Sequence, residues 1–169
     1  NLFRSMKAEV NPKFIPIISD ISEIIKNCEL FNLKESGNYD KLLNHLEKTS
    51  QELNTEVRCE GHTDNAQLPI QSKFLSNWEL SSARSLEVVR LMSKNSELPE
   101  KYFSYIGYGE YRPLIDVTTI NDFNKKKDAR TYNRRVEIYL DAFARPKTRS
   151  SKEEFILMQE NKIKKPVNK

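Results

Sequence analysis
Two side chains of opposite charge, Asp64 and Arg84, are placed to do chemistry together. Asp64 closes the run Glu60-Gly61-His62-Thr63-Asp64. Upstream of it Val57 and Cys59 alternate with Arg58 and Glu60, a period of two that predicts a strand with one covered face. Ser76 and Glu79 stand three apart, a capping box that predicts a helix from 76 to about 95. Asp64 thus falls at a strand's carboxyl end, where open α/β sheets put their ligand crevices. Arg84 falls early in the helix, where a cation faces the positive end of the dipole at a cost of about 0.3–1 kcal/mol. Glu87, just beyond it, can compensate. The functional alternative is a planar guanidinium that grips a carboxylate in two places. Asp64 and Arg84 either pair directly or share a ligand that carries both an ammonium and a carboxylate. Residue chemistry alone leaves these two readings even.

Other chemistry is less well supported. His62 and Asp64 lie two apart on a strand and point the same way, which suggests metal or acid–base work. No third or fourth ligand and no nucleophile motif accompanies them, so no catalytic residue and no metal ligand is assigned. His45, beside a helical stripe, reads as a surface or half-buried residue. The run GYGEYRP at 107–113 is neither a Walker loop nor a dinucleotide fingerprint, and its glycines permit a turn. Arg130, Arg134 and Arg135 cluster before and into a last strand. They read equally as solvated edge charge or as a grip on an anionic polymer.

The elements that position these groups follow from periodicity. Residues 2–10 read as an extended opening. Asn11 and Pro12 start a helix, a side-chain cap followed by proline at the first position. Phe14, Ile17, Ile18, Ile21, Ile24, Ile25 and Cys28 then form one stripe, and Pro16 is expected to bend it. Tyr39, Leu42, Leu43, Leu46 and Leu53 predict a second helix over about 39–53. Strands are expected at 57–61, 101–106 and 135–140. Residues 116–132 read as polar and irregular, and a short helix is expected near 152–161. The alternation of strands and helices predicts an α/β sandwich with helices packed on one sheet.

The totals bound the rest. A chain of 169 residues with 37% hydrophobic content can build one core and is not disordered by composition. The net charge of +4 derives partly from Lys162, Lys164, Lys165 and Lys169, which read as a solvated basic tail. Cys28 and Cys59 form no CxxC pair and read as small buried hydrophobes. No apolar run reaches membrane-spanning length and no signal peptide is visible. The chain opens at Asn1 inside what reads as a structured segment, so it is expected to be a piece of a longer protein.

EGHTDN, SNWELSSAR, GYGEYRP and NRRVEI, in that order, resemble the OmpA-like peptidoglycan-binding domain. LFRSMKAEVNPKF resembles that family's first strand and turn, so the likeness spans about residues 2–141. The long PIQSKFLSNWELS segment looks closest to the MotB-like branch of stator subunits. The resemblance implies a βαβαβ sandwich with a mixed sheet, the helix at 39–53 being an insertion before the GHTD strand. It implies a domain over 1–141 and a polar, basic arm over 142–169. Asp64 would take the ammonium of diaminopimelate in the peptidoglycan stem, and Arg84 its carboxylate. Thr63 and Asn77 would line the pocket, Leu80 would floor it, and Asn133 and Arg134 would form a rim beside the glycan. The implied protein is no enzyme and needs no cofactor, metal or nucleic acid. It is the periplasmic domain of an inner-membrane protein that works as a homodimer, with a membrane ion-channel subunit as partner if it is of stator type. An outer-membrane or lipoprotein wall anchor is the alternative, and a hydrolase or metalloenzyme using His62 and Asp64 is a remote one. Met6 departs from the family's usual glycine in the first turn.

Overall fold
Asn11 caps the first helix as its spacing predicts. Its side chain accepts the Lys13 N–H, Pro12–Phe14 form a single 3-10 turn, and α1 runs over Ile15–Lys26. The computed structural model describes residues 2–4 and 6–148, so the helix expected near 152–161 lies outside the described residues. Ile18, Ser22 and Ile25 are the buried positions of α1. The stripe is narrower than expected, because Ile17 and Ile24 are 52% and 71% exposed. Met6 adopts a left-handed backbone (φ 55°), the conformation glycine takes at no steric cost.

A short turn of helix, α2 (Leu33–Ser36), precedes α3 (Asp40–Lys48). The helix expected over 39–53 stops early. Thr49 donates its hydroxyl to the carbonyls of His45 and Leu46, and Ser50 turns left-handed (φ 55°). The chain then extends, and Gln51–His62 form the long strand β1.

The next helix, α4, spans Asn77–Ser96 with Ser76 accepting the Glu79 N–H as N-cap. A 3-10 turn at Glu100–Tyr102 leads into β2 (Phe103–Gly107). Residues expected to be irregular instead include α5 (Phe123–Asn133), capped by Asp122 through the Lys125 N–H. It buries only Ala129 and Asn133, so no apolar stripe announces it. The last strand, β3 (Arg135–Pro146), runs well past the expected end at 140.

The sheet has the order β2-β1-β3. Strands β1 and β2 are parallel, in a register that sets Val57 against Phe103 and Gly61 against Gly107. The pairs Arg58–Asp141 and His62–Glu137 run in opposite senses along β1 and β3, so that edge is antiparallel and the sheet is mixed, as expected. Helices α1 and α4 pack on one face. The core joins Ile18, Ile25, Val57, Cys59, Val88 and Met92, with Phe3 and Val10 from the opening segment. Burying each such large side chain contributes about 1.5–3 kcal/mol. No helix among the described residues is long and apolar enough to cross a membrane.

By internal contacts the backbone divides into Asn1–Gly37 with Thr55–Ala142, and Asn38–Asn54 with the residues from Phe143 on. In the second of these, Leu46 is buried, Arg145 pairs with Glu52, and Lys147 pairs with Glu47.

Cys59 is fully buried, with its sulfur 3.8 Å from that of Met92, and burial pushes its thiol up to about 12. Alkylation at mildly alkaline pH is therefore expected to modify Cys28 alone, with Cys59 reacting only after denaturation. Mass spectrometry showing two prompt additions on the native protein would contradict this packing.

Candidate functional site
The end of β1 is held by the loop after β2. Thr63 donates its N–H to Gly109 O at 2.8 Å, and Tyr108 donates to Gly61 O at 2.9 Å. This tether sets Asp64 down at the strand's carboxyl end with only 8% of its surface exposed. One carboxylate oxygen accepts the Ala66 N–H at 2.9 Å, which fixes the side chain against its own loop. The other accepts from Arg134, the residue that caps the end of α5. Arg134 is steadied in turn by Thr131, at 2.9 Å. Arg130, one turn earlier, donates to Asn65 at 3.1 Å. Helix α5 is thus pinned to the strand end by two arginines.

Arg84 is 3% exposed on the buried face of α4. Its Nε donates to Lys7 O at 3.0 Å, its Nη2 to Arg4 O at 3.5 Å, and its guanidinium stands 5.0 Å from the centre of the Phe3 ring. Among the described residues it forms no ion pair with a carboxylate. Burial, and then nearby Arg134, draw the guanidinium down to about 10, against an upward pull from Asp64. Of the two open readings of Asp64 and Arg84, direct pairing is not what the structure contains. The acid is engaged by Arg134, and the base is held by backbone carbonyls and a ring.

Between them lies a cavity of about 430 Å³. Thr63, Asp64, Asn77, Leu80, Arg84 and Arg134 all line it. Asn77 is positioned by Glu110 at 2.7 Å and by the carbonyls of Asp64 and Ala66. The buried hydroxyl of Thr63 has no hydrogen-bond partner among the described residues. Asn133 does not line the cavity. It is 2% exposed, and its amide both accepts from and donates to the backbone of Ile115, at 2.9 and 2.8 Å. Its amide holds the loop before α5, and Arg134 beside it lines the cavity.

Sequence reasoning missed Arg4, Lys126 and Lys127 as wall residues, and placed Arg130 only in a basic cluster with Arg134 and Arg135. The lysine run was visible, but its helix was not. With these, six cationic side chains and one carboxylate among the described residues line the cavity. An excess of that size in a concave site attracts anions. His62 lies outside the cavity wall, and His45 is exposed, as expected.

Comparison with known proteins gives a consistent family. The model of the OmpA family matches residues 30–127. Motility protein B of Bacillus subtilis is 43% identical over 81 residues, which is 47% of this chain and 28% of that protein. The periplasmic domain of MotB (residues 64–256) superposes with a TM-score of 0.56 at 17% identity, covering 95% of this chain and 66% of that one. The cell wall anchor of the T6SS from Pseudomonas aeruginosa superposes with a TM-score of 0.51 at 26% identity, covering 80% of this chain and 71% of that one. The chain spans less than half the length of the curated relatives it matches.

Proposed function
Because the chain belongs to the OmpA family, on its MotB-like branch, we propose that it binds peptidoglycan non-covalently and anchors a membrane-tethered protein to the cell wall. The ligand group is the diaminopimelate of the stem peptide. One observation carries this reading: a buried guanidinium without a carboxylate partner and a carboxylate held at a strand end wall the same cavity. A ligand carboxylate supplies the anion that Arg84 lacks. Its ammonium supplies a second cation for Asp64, displacing or sharing with Arg134. The free hydroxyl of Thr63 and the side chain of Asn77 add directional bonds, and Leu80 packs the methylene stem. Lys126, Lys127 and Arg130 favour the remaining acidic groups of the stem.

This is a binding module rather than an enzyme, working outside the cytoplasmic membrane. Similarity to motility protein B supports a stator role, with a dimer and an ion-channel subunit as partners. Similarity to the cell wall anchor of the T6SS supports an anchor without a motor. Both readings use the same cavity.

Calorimetric titration separates the clamp from simple anion attraction. A stem peptide ending in diaminopimelate is compared with the same peptide ending in lysine, which keeps the ammonium and loses the carboxylate. Charge-assisted bonds contribute about 1.5–3 kcal/mol each, so the lysine peptide is expected to bind more than about tenfold weaker. Equal affinity for the two peptides, or none for either, would sink the proposal.

A further inference from the structure
The face of the sheet turned away from α4 carries a second cluster. Gly61 faces the helix so closely that a Cβ there would meet Ser81, so its strand neighbours Glu60 and His62 face the other side. Glu137 on β3 meets them there. One donor atom from each of Glu60, His62 and Glu137 lies within 4.8 Å of the others. His62 is 2% exposed, and among the described residues neither ring nitrogen has a hydrogen-bond partner. Its Nε2 stands 3.8 Å from Glu137, too long for a hydrogen bond. Two donors that each lie about 2.1 Å from a tetrahedral zinc are themselves about 3.4 Å apart, so a small inward rotation of the carboxylates would bring the three donors onto a shared ion.

We propose that Glu60, His62 and Glu137 form a binding site for a divalent transition-metal ion, with zinc the best match to one imidazole and two carboxylates. The outer shell is already built. Arg58 takes one oxygen of Glu60 at 2.8 Å, Arg135 takes one oxygen of Glu137 at 2.6 Å, and Tyr139 donates to the other. Such contacts fix the direction of metal-binding carboxylates. Among the described residues neither ring nitrogen of His62 is taken by another group, so the imidazole has a nitrogen free to ligate. Tyr108 stacks on it with centroids 5.4 Å apart, which limits its rotation. A metal here ties β1 to β3 two residues before Asp64, and so braces the strand end that presents the acid. It needs no metal in the cavity and no catalytic step.

The test uses the metal-stripped protein titrated with Zn²⁺ and, separately, Co²⁺. One equivalent is expected to bind, with a rise in melting temperature and, for Co²⁺, visible d–d absorption. His62→Gln and Glu137→Gln are each expected to lower affinity by about tenfold or more. Glu137 is part-exposed, so its variant carries the test if the buried His62 variant fails to fold. Absence of saturable one-to-one binding, or binding undiminished in the folded variant, overturns the site. Titration of the same samples with stem peptide reports on the cavity independently.

Discussion

Replacing Arg84 with methionine is expected to weaken stem-peptide binding by about a hundredfold or more while moving the melting temperature by only a few degrees. The first half follows from two charge-assisted bonds to the ligand carboxylate, together about 3–6 kcal/mol. The second half follows from opposing costs in the unliganded protein. A guanidinium that burial draws down to about 10 disfavours the folded charged state by about 3 kcal/mol. Methionine removes that cost. It also leaves the carbonyls of Lys7 and Arg4 unpaired and deletes the contact with Phe3, each worth about 1 kcal/mol. The sum is near zero, and about 1 kcal/mol moves the melting point of a chain this size by about 2–4 °C. The pH dependence has a definite sign. From about 10 upward, until the ordinary guanidinium also titrates, the unfolded chain holds the Arg84 proton more tightly than the folded one, so this group's contribution to stability rises with pH across that window. Peptide binding, which needs the charge, falls across the same window. Calorimetry and thermal melting on one sample check both halves. A variant that unfolds would make Arg84 a structural residue, and one that binds like wild type would remove it from the site.

Such a residue was legible in the sequence because local rules place it. A two-residue period ending in Gly61 and a capping box at Ser76 are short-range signals, and both are present in the structure. The box is closed one residue earlier than expected, with Glu79 accepting the N–H of Leu75. What stayed hidden was long-range. Helix α5 has no apolar stripe and is held by Arg130 to Asn65 and by Arg134 to Asp64, partners 65 and 70 positions away. No window of sequence contains both ends of those bonds. The overlong helix at 39–53 failed for the opposite reason, since Leu53 continued the helical period by coincidence while Thr49 and Ser50 ended the helix. The direction of Asn133 was also hidden, because a motif names a residue without saying which way it faces. Here it faces Ile115. The second cluster was half legible. His62 was weighed with Asp64, but its nearer acids are Glu60, on the same strand face, and Glu137, on a strand whose pairing no local pattern reveals.

Gly61→Ala should cost more stability than the loss of any charge in the site, about 3 kcal/mol. Its Cβ would stand 2.2 Å from the carbonyl oxygen of Ser81 and 3.3 Å from the Ser85 Cβ, so the first contact is with helix backbone, not a side chain that can rotate. Strand β1 is central and paired on both sides, and it cannot withdraw. Helix α4 must move instead. Gly107, the register partner of Gly61, faces the same turn, with Ser82 N 2.4 Å from where its Cβ would be. Two paired glycines under Ser81 and Ser82 are thus what lets the start of α4 lie directly on the sheet. Arg84 comes three residues later on that helix, and Asp64 three residues later on that strand. A methyl that lifts the helix therefore separates the acid and the base that wall the cavity. Stability and peptide affinity should fall together in Gly61→Ala, whereas in Arg84→Met only affinity falls. Denaturant unfolding and calorimetry on the two variants distinguish these patterns. A Gly61→Ala protein with a wild-type midpoint would mean that the helix has slack at this crossing, and that the spacing of Asp64 and Arg84 is set elsewhere.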